Sequence, residues 1–231
     1  MSLVLGVLGG MGPAATLDFL AKLQAYTPAE RDQDHIRVLA DINPQVPDRN
    51  TPGGAAGPVL AEMAGGLAGA GAQVLAMPCN TAHAHADLIM DASGLPLIDM
   101  IAVAAQAAAE TGAHRVGVLG TKGALRLYRE YLAAQGLGFV GLPAERQEAF
   151  MALLYRIKAG EFGAAARNEM RALSEDLMAA GAEALIAGCT EAPLVLSADE
   201  VRLPFIDAGD HLARRCVAVC LEYEPAPTLP L

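Results

Sequence analysis

The chain has 231 residues, of which 53% are hydrophobic and only 4% aromatic, and 26 acidic against 16 basic side chains leave a formal net charge of −10. That length supports one large domain or two small ones with real cores, and so Ala-rich a composition fits a helix-rich α/β protein, not a disordered chain. No basic cluster is available to neutralise phosphates or an anionic lipid surface, which weighs against nucleic-acid and membrane partners.

The first ten residues, MSLVLGVLGG, are apolar but have neither a basic n-region nor a cleavage site. No stretch of about 18 strongly apolar residues follows. The expectation is a soluble, cytoplasmic protein. In a reducing compartment Cys79, Cys189, Cys216 and Cys220 are read as free thiols. Cys216 and Cys220 lie four apart on one face of an expected C-terminal helix and read as small core residues.

In chain order, Leu3–Leu8 reads as a buried strand. Gly9-Gly10-Met11-Gly12 reads as a turn, and Pro13 suits the first position of a helix running to about Ala25. Ile36–Ile42 is a second strand. Asn43–Gly57, with three prolines and three glycines, is an irregular loop. A helix is expected near Val59–Ala70, then a strand at Gln73–Met77, a helix from Asn80 and a short strand from Leu97. This alternation predicts parallel sheets with helices on both faces.

The chain also repeats itself. Gly6-Val7-Leu8-Gly9 has a counterpart in Gly117-Val118-Leu119-Gly120. Leu67, Gly71, Ala72, Leu75 and Cys79 match Leu177, Gly181, Ala182, Leu185 and Cys189 without a gap. Leu95-Pro96-Leu97-Ile98-Asp99 matches Leu203-Pro204-Phe205-Ile206-Asp207. Gly6 precedes Cys79 by 73 positions and Gly117 precedes Cys189 by 72. Three matches in one order imply two similar α/β lobes. If a pseudo-two-fold relates them, the two cysteines face each other across an interlobe cleft. The expected division is 1–99 plus 209–231 against 100–208.

Each repeat places a cysteine just past a strand's carboxyl end, where ligands of open α/β sheets bind. A helix starting there is expected to lower the thiol pKa. Two opposed thiols suit racemisation. One takes the α-proton from one face, the other returns a proton to the opposite face, and the reverse reaction exchanges their roles. Pro78-Cys79-Asn80-Thr81 and Gly188-Cys189-Thr190-Glu191 place amide and hydroxyl groups beside each thiol. The amides and hydroxyls, with nearby backbone N–H groups, suit a substrate carboxylate, or serve as ordinary helix caps. Arg49, in a Pro-bounded loop, is suited to bidentate carboxylate binding. Lys158 by itself reads as a charge near a helix C-terminus.

GVLGGMGPAAT at 6–16, NPQVPDR at 43–49, MPCNTAHA at 77–84, IKAG at 157–160 and AGCTEAPLVL at 187–196 together resemble the aspartate/glutamate racemase family, most closely its aspartate branch. The resemblance implies a cofactor-independent racemase of acidic amino acids, acting as a homodimer. It implies that Cys79 and Cys189 are catalytic and that Met11, Arg49, Asn80, Thr81, Thr121, Lys158 and Thr190 bind substrate. Ala124 departs from the family pattern, which has a threonine there.

Three other readings compete. Gly10-x-Gly12-x-x-Ala15, with Asp41 ending the next strand, resembles a short dinucleotide fingerprint. Cys79, His83 and His85 are close enough in sequence to suggest a metal site. A non-catalytic small-molecule binder on a two-lobed scaffold would keep a cleft but have no use for two thiols.

Overall fold

The computed structural model describes residues 2–51 and 55–229. Residues 52–54 of the expected Asn43–Gly57 loop, and Met1, Pro230 and Leu231 at the ends of the expected lobes, lie outside it. The chain divides into two compact units, Met1–Met100 with Gly209–Leu231, and Ile101–Ala208.

The first unit begins with β1 (Leu5–Gly9), buried along its whole length as a central parallel strand must be. Next come α1 (Pro13–Tyr26), β2 (Val38–Ile42), α2 (Ala56–Gly69), β3 (Val74–Ala76), a 3₁₀ turn at Thr81–His85, α3 (Ala86–Ser93) and β4 (Leu97–Ile98). The strands are all parallel, in the order β2-β1-β3-β4. α4 (Met100–Glu110) leads into the second unit. There follow β5 (Arg115–Val118), α5 (Lys122–Ala134), β6 (Gly138–Val140), α6 (Ala144–Lys158), α7 (Ala164–Ala179), β7 (Ala184–Ala187) and β8 (Phe205–Asp207). Their order, β6-β5-β7-β8, again all parallel, reproduces that of the first unit. α8 (Ala208–Cys220) then rejoins the first unit. No helix among the described residues is long and apolar enough to cross a membrane.

The sequence repeat has a packing cause. α2 ends in a Schellman motif: Gly71, at φ +100°, donates to the Ala68 carbonyl, and Ala72 donates to that of Leu67. α7 ends the same way, with Gly181 at φ +90° donating to Met178 and Ala182 to Leu177. The chain then turns into β3 or β7 beside a glycine of the first strand. A Cβ on Gly6 would lie 2.7 Å from Leu75 Cδ2 and 2.9 Å from Ala72 Cβ. One on Gly117 would lie 2.6 Å from Leu185 Cδ2 and 3.0 Å from Ala182 Cβ. The matched Gly, Leu and Ala positions are therefore one close helix–strand contact made twice.

Candidate active site

Cys79 lies three residues beyond β3 and Cys189 two beyond β7, each at the carboxyl end of its strand. Both are 6% exposed, and each belongs to the buried cluster of its own unit. The expected helix at Asn80 is instead a 3₁₀ turn that precedes α3, and a second 3₁₀ turn, Ala192–Leu194, follows Cys189. Asn80 makes no side-chain cap to its turn.

Around Cys79 the first unit gathers Met11, Asn80 and Thr81, all buried. Met11, Val46 and Cys79 share one apolar cluster. The loop after β2 brings Arg49 to the same region. Its Nη1 donates to the Val46 and Pro47 carbonyls at 3.2 Å each, and its Nη2 to that of Met11 at 3.4 Å. The Arg49 Nε is buried without a hydrogen-bond partner among the described residues. The sequence missed the role of His83. Its Nε2 accepts from the Met100 backbone N–H at 3.1 Å, so Nδ1 carries the proton and donates to the Cys79 carbonyl at 2.9 Å. His83 thus ties the cysteine turn to the start of α4.

The surroundings of Cys189 differ. Its thiol donates to Glu191 Oε2 at 3.0 Å. The Thr190 hydroxyl donates to the same oxygen at 3.4 Å, and Lys158 on α6 forms an ion pair with Oε1. The Glu191 side chain is only 3% exposed. Burial pushes the Cys189 thiol well above its ordinary range, the Glu191 charge and hydrogen bond add to this, and Lys158 opposes it. The expectation that a helix N-terminus lowers this thiol is overturned. Only a short 3₁₀ turn follows the cysteine, and desolvation with a neighbouring carboxylate outweighs its dipole.

Thr121 caps α5, its hydroxyl accepting from the Ala124 N–H at 3.2 Å. Ala124 is wholly buried. The Thr121 turn adjoins the cysteine turn, since a Cβ on Gly120 would lie 3.3 Å from the Gly188 carbonyl. Gln147 on α6, also missed in the sequence, is 6% exposed and donates to the Gly120 carbonyl at 2.9 Å. Each unit therefore carries a cysteine at the same topological position, with its own set of buried polar groups.

A family model for Asp/Glu/Hydantoin racemase matches residues 8–216. The chain belongs to this racemase family. It is 26% identical over 229 residues to the broad specificity amino-acid racemase RacX of Bacillus subtilis, covering 96% of this chain and all of that one. It is 32% identical over 180 residues to a Synechococcus glutamate racemase, across 74% of this chain and 65% of the other. The Picrophilus torridus aspartate racemase structure superposes with a TM-score of 0.82 at 26% identity, covering 94% of both chains.

Two competing readings meet local obstacles in this racemase chain. The close approach permitted by Gly10, at φ +93°, is occupied by the Asn43 backbone, whose atoms lie 2.4–2.6 Å from where a Cβ would sit. The Gly10 N–H is already bound by Thr16 Oγ1 at 2.9 Å. Gly10, the tight-turn glycine of such a fingerprint, is thereby packed against the protein's own loop after β2. Asp41 lines a hollow of about 350 Å³ together with Glu62, two carboxylates that would repel phosphates. As for a metal, His83 has committed its one lone pair to Met100. Among the described residues no His, Cys, Asp and Glu group is arranged to hold an ion.

Proposed function

We propose that this racemase interconverts L- and D-aspartate without a cofactor, using Cys79 and Cys189 as an acid and base pair on opposite faces of the α-carbon. One observation carries the reading: two units of identical strand order each end their third-in-sequence strand in a buried cysteine turn. Such duplication supplies two chemically like groups, as a reaction that must run equally in both directions requires. As one thiolate removes the α-proton, the other thiol protonates the opposite face, and the two cysteines exchange charge states. Donors at Asn80, Thr81 and Thr190 would stabilise the charge that spreads onto the α-carboxylate.

The aspartate assignment rests on Arg49 and Lys158 as partners for a second carboxylate, on the NPQVPDR segment and on the similarity to an aspartate racemase. A broader substrate range is the second reading. It is favoured by Lys158 being paired with Glu191 and Arg49 being held by three carbonyls, so that neither cation waits solely for substrate. RacX, whose name states broad specificity, points the same way. We extend the proposal to a cytoplasmic homodimer, which sedimentation of the purified chain tests for assembly.

The deciding experiment incubates L-Asp, L-Glu and several neutral L-amino acids in deuterated water and follows α-proton loss and chirality. Aspartate is expected to turn over fastest. Faster turnover of neutral amino acids would overturn the substrate assignment, and undiminished racemisation by both Cys79→Ser and Cys189→Ser would overturn the mechanism.

A further inference from the structure

The two thiols occupy equivalent positions, yet their charged surroundings are unlike. Cys189 donates its proton to a carboxylate that is itself buried and ion-paired, with Thr190 bound to the same oxygen. The charged groups about this thiol are Glu191 on its own turn and Lys158 on α6. At Cys79 a side chain, His83, instead contacts the backbone carbonyl. That contact places the turn without touching the sulfur.

We propose that Glu191 is a positioning residue that makes Cys189 the resting acid of the pair, holding its S–H proton in one direction until substrate is bound. The proposal rests on the two-cysteine reading above. A buried thiol beside a carboxylate keeps its proton, because ionising it would set two negative charges side by side with little water to screen them. The Lys158 ion pair holds Oε1 and fixes the orientation of Glu191, so that Oε2 faces the thiol. Thr190 limits the rotation of the carboxylate from the other side.

In the first half-cycle the Cys79 thiolate takes the α-proton, forming S–H as the C–H bond breaks. The Cys189 S–H bond then breaks, its proton forms the new C–H bond on the opposite face, and Sγ keeps the electron pair. Protons and charge balance, and nothing is oxidised or reduced. Cys189 leaves this step as a thiolate facing Glu191, poised to act as base for the other enantiomer or to regain a proton from solvent.

The test uses the full chain with Glu191→Gln and Glu191→Asp. Each protein is alkylated with iodoacetamide across a pH series, and the peptides bearing Cys79 and Cys189 are quantified by mass spectrometry. In Glu191→Gln the Cys189 midpoint is expected to fall by about one pH unit or more, because an uncharged amide no longer opposes the thiolate. The Cys79 midpoint in the same molecules should stay in place. The alkaline limb of kcat/KM should move down with Cys189, by an equal amount for both enantiomers because their equilibrium constant is one. Glu191→Asp retains the charge and should restore much of the parent profile. An unmoved Cys189 midpoint in Glu191→Gln, or equal movement of both cysteines, would overturn the proposal. Racemisation that survives Cys189→Ser would instead remove the two-cysteine reading, whatever the alkylation profile shows.

Discussion

The proposed mechanism turns on two sulfur atoms, and their settings give separable predictions. Cys79→Ser and Cys189→Ser are each expected to abolish racemisation, while α-proton exchange with deuterated solvent persists for one enantiomer in each variant, because one base is left. Proton NMR of each enantiomer checks this, and exchange of both enantiomers by a single variant would contradict it. His83 is expected to matter by placement. His83→Ala leaves the Met100 N–H and the Cys79 carbonyl without their partners. A loss of about 1–3 kcal/mol in stability is expected, measured by denaturant unfolding. Activity should fall as well, through the displaced Cys79 turn. Cys79 and Cys189 stood out in the sequence because a gapless repeat ended on both. His83 stood out only as a candidate metal ligand beside Cys79, because a histidine near a cysteine reads as ligand, cap or core until its partners decide. Glu191 was visible as a neighbour, but not as the acceptor of the Cys189 proton. Lys158, which joins it there, lies 33 positions earlier.

Among the elements, the two helix–strand contacts and the first turn make a graded series of glycine substitutions. Gly6→Ala and Gly117→Ala press on side-chain carbons of Leu75 and Leu185 and on the Cβ atoms of Ala72 and Ala182. About 1–3 kcal/mol of destabilisation is expected from such overpacking. Gly10→Ala should cost more, since it meets the Asn43 backbone and starts from a positive φ. Gly66 in α2 is exposed, with nothing within 4 Å of its missing Cβ. Gly66→Ala should therefore stabilise by about 0.5–1 kcal/mol through helix propensity. Chemical denaturation of the four variants should return that order, and a destabilising Gly66→Ala would show that the helix surface is read wrongly. The strand and helix alternation was legible from apolar runs and from the Pro and Gly boundaries. The strand ends shifted by no more than two residues, as with Leu5–Gly9 against the expected Leu3–Leu8, because pairing partners set the ladder limits. The helix expected from Asn80 opens as a 3₁₀ turn because its first residues carry the buried cysteine loop and the His83 tie.

At the scale of the whole molecule, the first unit is built from both ends of the chain. α8 returns to it, with Cys216 and Cys220 fully buried, and the Leu3 N–H donates to the Cys220 carbonyl at 2.8 Å. Asp210 at the start of α8 accepts from the Tyr26 hydroxyl and from Arg214, whose guanidinium lies 3.8 Å from the Tyr26 ring centroid. Burial alone would raise the Asp210 carboxyl, but the Tyr26 and Arg214 contacts outweigh it and hold the group below its usual 3.8. A depressed carboxyl stabilises the fold above its unfolded pKa, and the contribution drains as pH falls through the folded value. Asp210→Asn is therefore expected to lower Tm at neutral pH by about 2–4 °C, for a loss near 1 kcal/mol. The difference from the parent should vanish on acidification below pH 3.8. Thermal melts at several pH values check this, and a deficit that persists in acid would remove the carboxylate as its cause.

The sequence by itself determined the α/β class, the duplication and the racemase family, because each is written in local patterns: apolar periods, punctuating glycines and two motifs ending in cysteine. It also marked the residues proposed to carry chemistry: the thiols, an arginine in a Pro-bounded loop and the hydroxyls beside the cysteines. Only the tertiary structure decided how the two sites differ. Protonation and orientation depend on burial and on partners distant along the chain. The Lys158–Glu191–Cys189 chain and the Met100–His83–Cys79 tie are assembled by folding alone.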